Sequence, residues 1–340
     1  MDFFLVSLIK IVVVFGAFMT TLAYLQWVER KVLAHIQLRL GPQRVGPHGL
    51  LQPLADVIKL ATKEGVIPAN VNTFFYILAP FLAVSLALIS IAVIPIGPAI
   101  ELFGVRTNLE ITSLNISVLF VLAISSVGVY GIALGGWASN NKYSLMGGLR
   151  SSAQMISYEL PMAIALATPL LVLNTLDLRQ IAERQGGGWF WNWTAFSYPP
   201  LLFVAFFVFL VSAFAETNRV PFDLPEAENE LVAGFHTEYS SLAFAGFFMA
   251  EYANMLTITC VATTIFLGGW HPPFPAPYSN FVPTALFWFF GAVLLFHGLA
   301  QPFRRWDRFT FPIFGVLSLG LGAIFLAATF LPIIDRKSVV

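Results

Sequence analysis

Eight apolar stretches alternate with polar ones along the chain, at about 11–28, 74–97, 115–137, 151–173, 198–214, 240–267, 283–301 and 313–333. A helix crossing roughly 30 Å of hydrocarbon needs about 20 apolar residues. These stretches approach or exceed that length. Their apolar residues run continuously, without the in-out alternation of a barrel strand, so helices are the expected spanning elements. The pattern predicts an all-α polytopic membrane protein, a single membrane domain over 1–340 with about eight transmembrane helices. No basic segment precedes the first stretch and no small-residue cleavage site comes before Glu29-Arg30-Lys31, so that stretch is expected to remain as a helix.

Two connections depart from plain linkers. The first loop, 29–73, contains Leu50, Leu51, Leu54, Val57, Ile58 and Ala61 at helical spacing, with Gln52, Asp56, Lys59 and Lys63 on the other side. This predicts an amphipathic helix lying in the membrane interface. It is introduced by RLGPQRVGPHG (39–49), whose Gly-Pro steps end the first helix and turn the chain. The second is an acidic loop, 215–239, holding Glu216, Asp223, Glu226, Glu228, Glu230 and Glu238 with one arginine, Arg219.

Composition agrees with the pattern. Hydrophobic residues make up 58% of the chain and charged residues 11%, against about 25% charged in soluble domains. Lys plus Arg and Asp plus Glu both number 18, and no nucleic-acid partner is expected. The connections 1–2, 3–4, 5–6 and 7–8 hold Arg30, Lys31, Arg39, Arg44, Lys59, Lys63, Lys142, Arg150, Arg219, Arg304, Arg305 and Arg308. The opposite side holds Arg106, Arg179, Arg184, Arg336 and Lys337, with Lys10 expected to snorkel outward from the first helix. The positive-inside rule then puts the first loop inside and both termini outside, which for a bacterial inner membrane is the periplasm. Cys260 is the single cysteine, and His297 is the one histidine within a span. These supply neither a four-thiolate cluster nor facing haem ligands, so no cofactor is expected to be held covalently or by metal ligands.

Carboxylates inside spans carry the candidate chemistry. Glu159 and Glu251 are flanked on both sides by apolar sequence. A charge near the centre of a membrane helix costs about 2.5–3.5 kcal/mol on insertion scales, so such groups face a bundle interior, pair, or handle protons. Ser151, Gln154 and Tyr158 share one face of the fourth span, with Ser152 and Glu159 beside it and Pro161 and Pro169 in the same helix. That seam is expected to line water. In the acidic loop, Pro225 suits the first turn of a short helix starting near Glu226, where acids favour the helix dipole. Capping does not need six acids, and carboxylates this dense titrate as a coupled set. The loop is therefore expected to accept protons that pass on to Glu159 and Glu251.

Four segments, ERKVLAHIQLRLGPQRVGPHGLLQPLADVIKLATKE (29–64), ASNNKYSLMGGLRSSAQMISYELP (138–161), AETNRVPFDLPEAENELVAGFHTEY (215–239) and FFMAEYANM (247–255), resemble the signature segments of one family. It is the family of the H subunit of bacterial respiratory complex I, the mitochondrial NADH dehydrogenase subunit 1 family, and the resemblance covers essentially the whole chain. It implies a membrane subunit of a proton-translocating NADH:quinone oxidoreductase, inactive alone, that forms a chamber for a long-tailed quinone such as ubiquinone. It implies quinone as substrate, with iron–sulfur clusters and FMN on partner subunits. The implied partners are the hydrophilic-arm subunits of the quinone site and the small and antiporter-like membrane subunits. By the same resemblance Arg30, Phe248 and Met249 match chamber positions, and Glu159, Glu216, Asp223, Glu226, Glu228, Glu230 and Glu251 match the acidic path. The chain departs from the family in the 7–8 connection, HGLAQPFRRWDRF, where Gly298 and Phe303 stand in place of arginines, Trp306 of a tyrosine and Arg308 of a glutamine, while Asp307 is retained. Two other classes share part of the pattern. A membrane subunit of an energy-converting hydrogenase would have the spans and acidic loop without the quinone chamber, and a secondary transporter would show an inverted repeat, which this sequence lacks by inspection.

Overall fold

The structure, a computed structural model, describes residues 3–102, 105–226 and 232–275, together with 285–286, 288–289, 291–292, 316, 318–320 and 323. The chain divides into two compact units, Met1–Gln26 with Pro53–Gly186 and Phe190–His271 in the first, and Trp27–Gln52, Gly187–Trp189 and the chain from Pro272 in the second.

The first unit is built from helices. They are α1 (Phe3–Ile36, which continues into the second unit), α2 (Gln52–Thr62), α3 (Thr73–Ser90), α4 (Ser117–Ala138), α5 (Lys142–Leu173), α6 (Leu178–Arg184), α7 (Thr194–Ser197), α8 (Leu201–Glu216) and α9 (Ser241–Phe266). Among the described residues α1, α3, α4, α5 and α9 are long and apolar enough to cross a membrane, and α8 is a shorter apolar helix. Its 16 residues reach about 24 Å. The expected seventh and eighth spans are helical wherever they are described. The corner from Gly298 to Arg308 lies outside the described residues.

The helices pack in the order α9, α3, α4, α5, α8, each against the next, and α8 also touches α9. The common core includes Phe18 and Leu22 from α1, Ala79 and Ala83 from α3, Phe209 from α8 and Phe247 from α9. Small residues set the spacing, as in many membrane bundles where packing replaces the hydrophobic drive. At the α4–α5 crossing a Cβ on Gly136 would fall 2.7 Å from Ser144 O and 3.0 Å from Gly148 Cα. Large apolar side chains such as Phe81, Leu160, Leu171 and Phe207 point outward, as lipid-facing positions should.

The amphipathic prediction holds. Residues 52–62 form α2, and Leu54, Val57 and Ile58 share an exposed apolar face. Its end is fastened to the start of α9, because Ser241 Oγ donates to Lys63 O at 2.7 Å and reaches Leu60 O at 3.0 Å. One element was not expected. Two strands, β1 (Gly97–Leu102) and β2 (Val105–Leu109), pair antiparallel, Glu101 with Arg106 and Leu102 with Val105. Lys10 donates to the backbone of this connection, at 3.0 Å from Glu110 O and 3.4 Å from Asn108 O. It is thereby held to the 2–3 connection.

In the second unit the RLGPQRVGPHG segment folds on itself. Gly46 and Gly49 take φ of 73° and 75°, and a Cβ on Gly49 would meet Pro42 O at 2.3 Å. Only glycine tolerates that combination.

Candidate functional site

Three carboxylates from three helices converge near the middle of the first unit. Glu216 ends α8, where Thr217 and Asn218 turn the chain, and it is 6% exposed. Its Oε1 accepts a hydrogen bond from Ser125 of α4, while its Oε2 is buried without a hydrogen-bond partner. Glu159 of α5 is half-buried and contacts the next residue of α4, Ser126. Ser126 Oγ also lies 2.9 Å from Leu122 O. A hydroxyl has one proton to donate, so Ser126 gives it either to the Leu122 carbonyl or to the Glu159 carboxylate. Two adjacent serines thus link two acidic side chains of different helices.

The third carboxylate has a charged partner from outside its span. Glu251 Oε1 lies 3.0 Å from Arg219 Nε, with both side chains about one-fifth exposed, at 21% and 23%. The Arg219 guanidinium also sits 4.6 Å from the centroid of the Tyr252 ring. The lone arginine of the acidic loop therefore serves a span rather than the loop.

The polar seam of α5 also does something other than line water. Gln154 Nε2 reaches Ala215 O and Phe222 O, both at 2.8 Å, and Asn218 Oδ1 at 3.0 Å. Asn218 Nδ2 in turn donates to Ser151 Oγ at 2.9 Å. Asn218 has φ of 49°, a conformation asparagine accepts more readily than most residues. These bonds fix the Thr217–Phe222 turn, and with it Glu216 and Arg219, against α5.

Glu216 and Glu251 both border a cavity of about 130 Å3, space for about four waters at ~30 Å3 each. Ser125 and Asn254 add polar groups, and Phe244, Phe247 and Phe248 form an apolar end beside His236. The His236 ring packs on Phe235 and Phe244. Burial pushes its pKa down to about 4, so it is neutral at pH 7 and can both donate and accept.

The remaining expected positions are distributed as follows. Phe248 lines the cavity, whereas Met249 packs against the core without lining it. Arg30 belongs to the second unit. Asp223 is exposed, Leu224–Glu226 form a 3₁₀ turn, and the short helix expected to begin near Glu226 falls on 227–231, outside the described residues. Glu228 and Glu230 lie outside the described residues. Glu238 accepts from Asn141 Nδ2 at 2.6 Å, and its carbonyl accepts from the Tyr76 hydroxyl at 2.8 Å. Among the described residues no three His, Cys, Asp or Glu side chains gather as a metal site.

Sequence reasoning missed Ser125, Ser126, Asn218 and Asn254. The available signal was polarity in the wrong solvent, above all a Ser-Ser pair in the middle of an apolar span.

The sequence model of a family described as NADH dehydrogenase matches residues 9–331. The chain is 64% identical over 326 residues to an H subunit (the first of that name) of the NADH-quinone oxidoreductase of Solibacter usitatus, covering 96% of this chain and 82% of that one. It is 48% identical to an H subunit (the second of that name) of the NADH-quinone oxidoreductase of Koribacter versatilis, with 96% and 97% covered. It is 47% identical to the corresponding second H subunit of the NADH-quinone oxidoreductase of Geobacter metallireducens, with 92% and 88% covered.

Proposed function

The chain belongs to the NADH dehydrogenase family, and on that premise we propose that it is the membrane subunit of a proton-translocating NADH:quinone oxidoreductase that receives quinone and links its reduction to proton movement. The observation that carries this reading is the set of three carboxylates from three helices in which Glu216 and Glu251 border one cavity and Glu216 and Glu159 meet one serine pair.

Reduction of a quinone to its quinol takes up two electrons and two protons. This chain offers no redox centre of its own, so the electrons come from iron–sulfur clusters and FMN on partner subunits docked at the inner loops. Its contribution is binding and proton handling. Arg30, Phe248 and Met249 are assigned to the quinone chamber, with Phe248 supplying apolar contact for the tail. Glu159, Glu216, Asp223, Glu226, Glu228, Glu230 and Glu251 are assigned to the acidic path, which leads toward antiporter-like membrane partners. Arg219 has a positioning role there, since it holds Glu251 through an ion pair and rests on Tyr252. The setting is the bacterial inner membrane, with the acidic loop inside and both termini on the periplasmic side, as the loop charges favour.

Phe248→Ala in the assembled enzyme tests the chamber. The KM for quinone should rise several-fold while reduction of a hydrophilic artificial acceptor persists. Equal loss of both activities, or no change in quinone kinetics, removes Phe248 from the chamber.

A further inference from the structure

Beyond Glu216 the polar interior continues in a direction that the acidic loop does not explain. A second cavity, of about 30 Å3, opens on the other side of this carboxylate, and Ser90, Ser125, Glu216 and Asn254 border both spaces. Its far wall is Val118 at the start of α4, Leu166 in α5 and Val261 in α9. These positions lie toward the helix ends that carry the 2–3 and 4–5 connections. Thr257 is the polar side chain that this cavity adds to the four it shares.

Two buried oxygens at this cavity are without a hydrogen-bond partner, Glu216 Oε2 and Thr257 Oγ1. Thr257 is 3% exposed. Its hydroxyl behaves unlike its neighbours in α9. Thr259, Thr263 and Thr264 each donate back to the carbonyl four residues earlier, at 2.7, 2.8 and 2.8 Å. An unsatisfied buried polar group costs on the order of 1–3 kcal/mol, and a space of this size suits about one water molecule, which needs two to four polar partners. Glu216 Oε2 and Thr257 Oγ1 provide two, and Ser90 and Asn254 stand on the same wall.

We propose that Thr257 is a positioning residue for proton transfer, its hydroxyl and Glu216 together holding a water that gives Glu216 a second proton route, directed away from the acidic loop. The inference rests on the acidic path proposed above and adds a branch to it. Glu216 becomes a junction: one side faces the larger cavity and Glu251, the other faces the Thr257 water. The transfer is balanced: the water takes one proton from the Glu216 carboxyl as it gives another to the Thr257 hydroxyl, whose own proton passes to a further water admitted when the wall of Val118, Leu166 and Val261 parts. At rest that apolar wall closes the branch and prevents a continuous leak.

The test uses the assembled enzyme in sealed vesicles, comparing Thr257→Val, which keeps the shape and removes the hydroxyl, with Thr257→Ser and with Glu216→Gln. Inhibitor-sensitive quinone reduction, proton pumping and the solvent deuterium isotope effect are measured, with artificial-acceptor reduction reporting assembly. Thr257→Val should slow coupled turnover at least threefold and raise the isotope effect, and Thr257→Ser should restore both. If Thr257→Val behaves as wild type while Glu216→Gln is impaired, the branch is overturned and the acidic path stands. If Glu216→Gln is also unimpaired, the path falls and the branch with it. Equal impairment of the Val and Ser variants overturns the role of the hydroxyl. A high-resolution structure of the unmodified assembled enzyme provides a check without substitution: it should place an ordered water between Glu216 Oε2 and Thr257 Oγ1, and an occluded, dry contact there overturns the proposal.

Discussion

Arg219 Nε stands 3.0 Å from Glu251 Oε1, so the single arginine of the acidic loop is committed to a carboxylate of the following helix. Removing either partner leaves the other's charge partly buried. Fully buried pairs lose about 3–5 kcal/mol on such a change, and partial exposure here lowers the figure through solvent screening. Arg219→Gln and Glu251→Gln should each destabilise the assembled enzyme by about 1–3 kcal/mol. The double substitution should cost less than their sum, which a double-mutant cycle on thermal stability measures.

Ser125→Ala should be more damaging than Ser126→Ala. Both remove a hydroxyl that meets a carboxylate, but Glu216 is 6% exposed while Glu159 is half-buried. Glu216 already has one oxygen without a partner, and losing Ser125 leaves the whole group unsatisfied, a loss of about 1–3 kcal/mol. Coupled quinone reduction, normalised to artificial-acceptor activity, should fall several-fold in Ser125→Ala and less in Ser126→Ala.

The reach of the sequence differs between elements for physical reasons. Apolar length placed α9, expected at 240–267, at Ser241–Phe266. The same signal underestimated α1 and α5, which run to Phe3–Ile36 and Lys142–Leu173. A helix does not have to end where hydrocarbon ends, and the Glu29-Arg30-Lys31 run simply continues it into polar surroundings. For α5, Asn141 caps the helix by accepting from Tyr143 N at 2.9 Å, well ahead of the expected start at 151. The pairing of β1 with β2 was illegible because backbone hydrogen bonds, rather than a buried face, define it. At the site, the carboxylates were legible as charges in an apolar stretch, whereas their partners were not. The contacts of Ser125 with Glu216 and of Arg219 with Glu251 depend on how distant segments meet. The polar seam of α5 was legible as a polar face but assigned to water, when Gln154 and Ser151 in fact hold the Asn218 turn.

Gly147→Ala should impair assembly. A Cβ there would come within 2.6 Å of Gly234 Cα and 2.8 Å of Phe235 N, backbone that cannot rotate away. The end of the acidic loop would be pushed off α5, displacing Phe235 and His236 from the cavity. Loss of the protein from membrane extracts, or a lower unfolding temperature of the complex, checks this.

His236 predicts an acid sensitivity of known sign. Burial lowers its pKa from 6.5 to about 4, so the unfolded chain binds the proton more tightly than the folded one. The stability contributed by the neutral ring is therefore complete above about pH 6.5 and is lost as pH falls toward 4. His236→Gln should flatten thermal inactivation rates between about pH 6.5 and 5 relative to wild type, with about pH 7.5 as the reference.

The central claim is that the membrane-embedded carboxylates carry the protons coupled to quinone reduction, and Glu159→Gln and Glu251→Gln test it most directly. The measurement is inhibitor-sensitive quinone reduction together with proton pumping by the assembled enzyme in reconstituted vesicles, with artificial-acceptor activity confirming assembly. Both variants should retain acceptor activity while pumping and quinone reduction fall together by at least tenfold. Normal pumping by both would contradict the account and return these groups to hydrogen bonding and ion pairing alone.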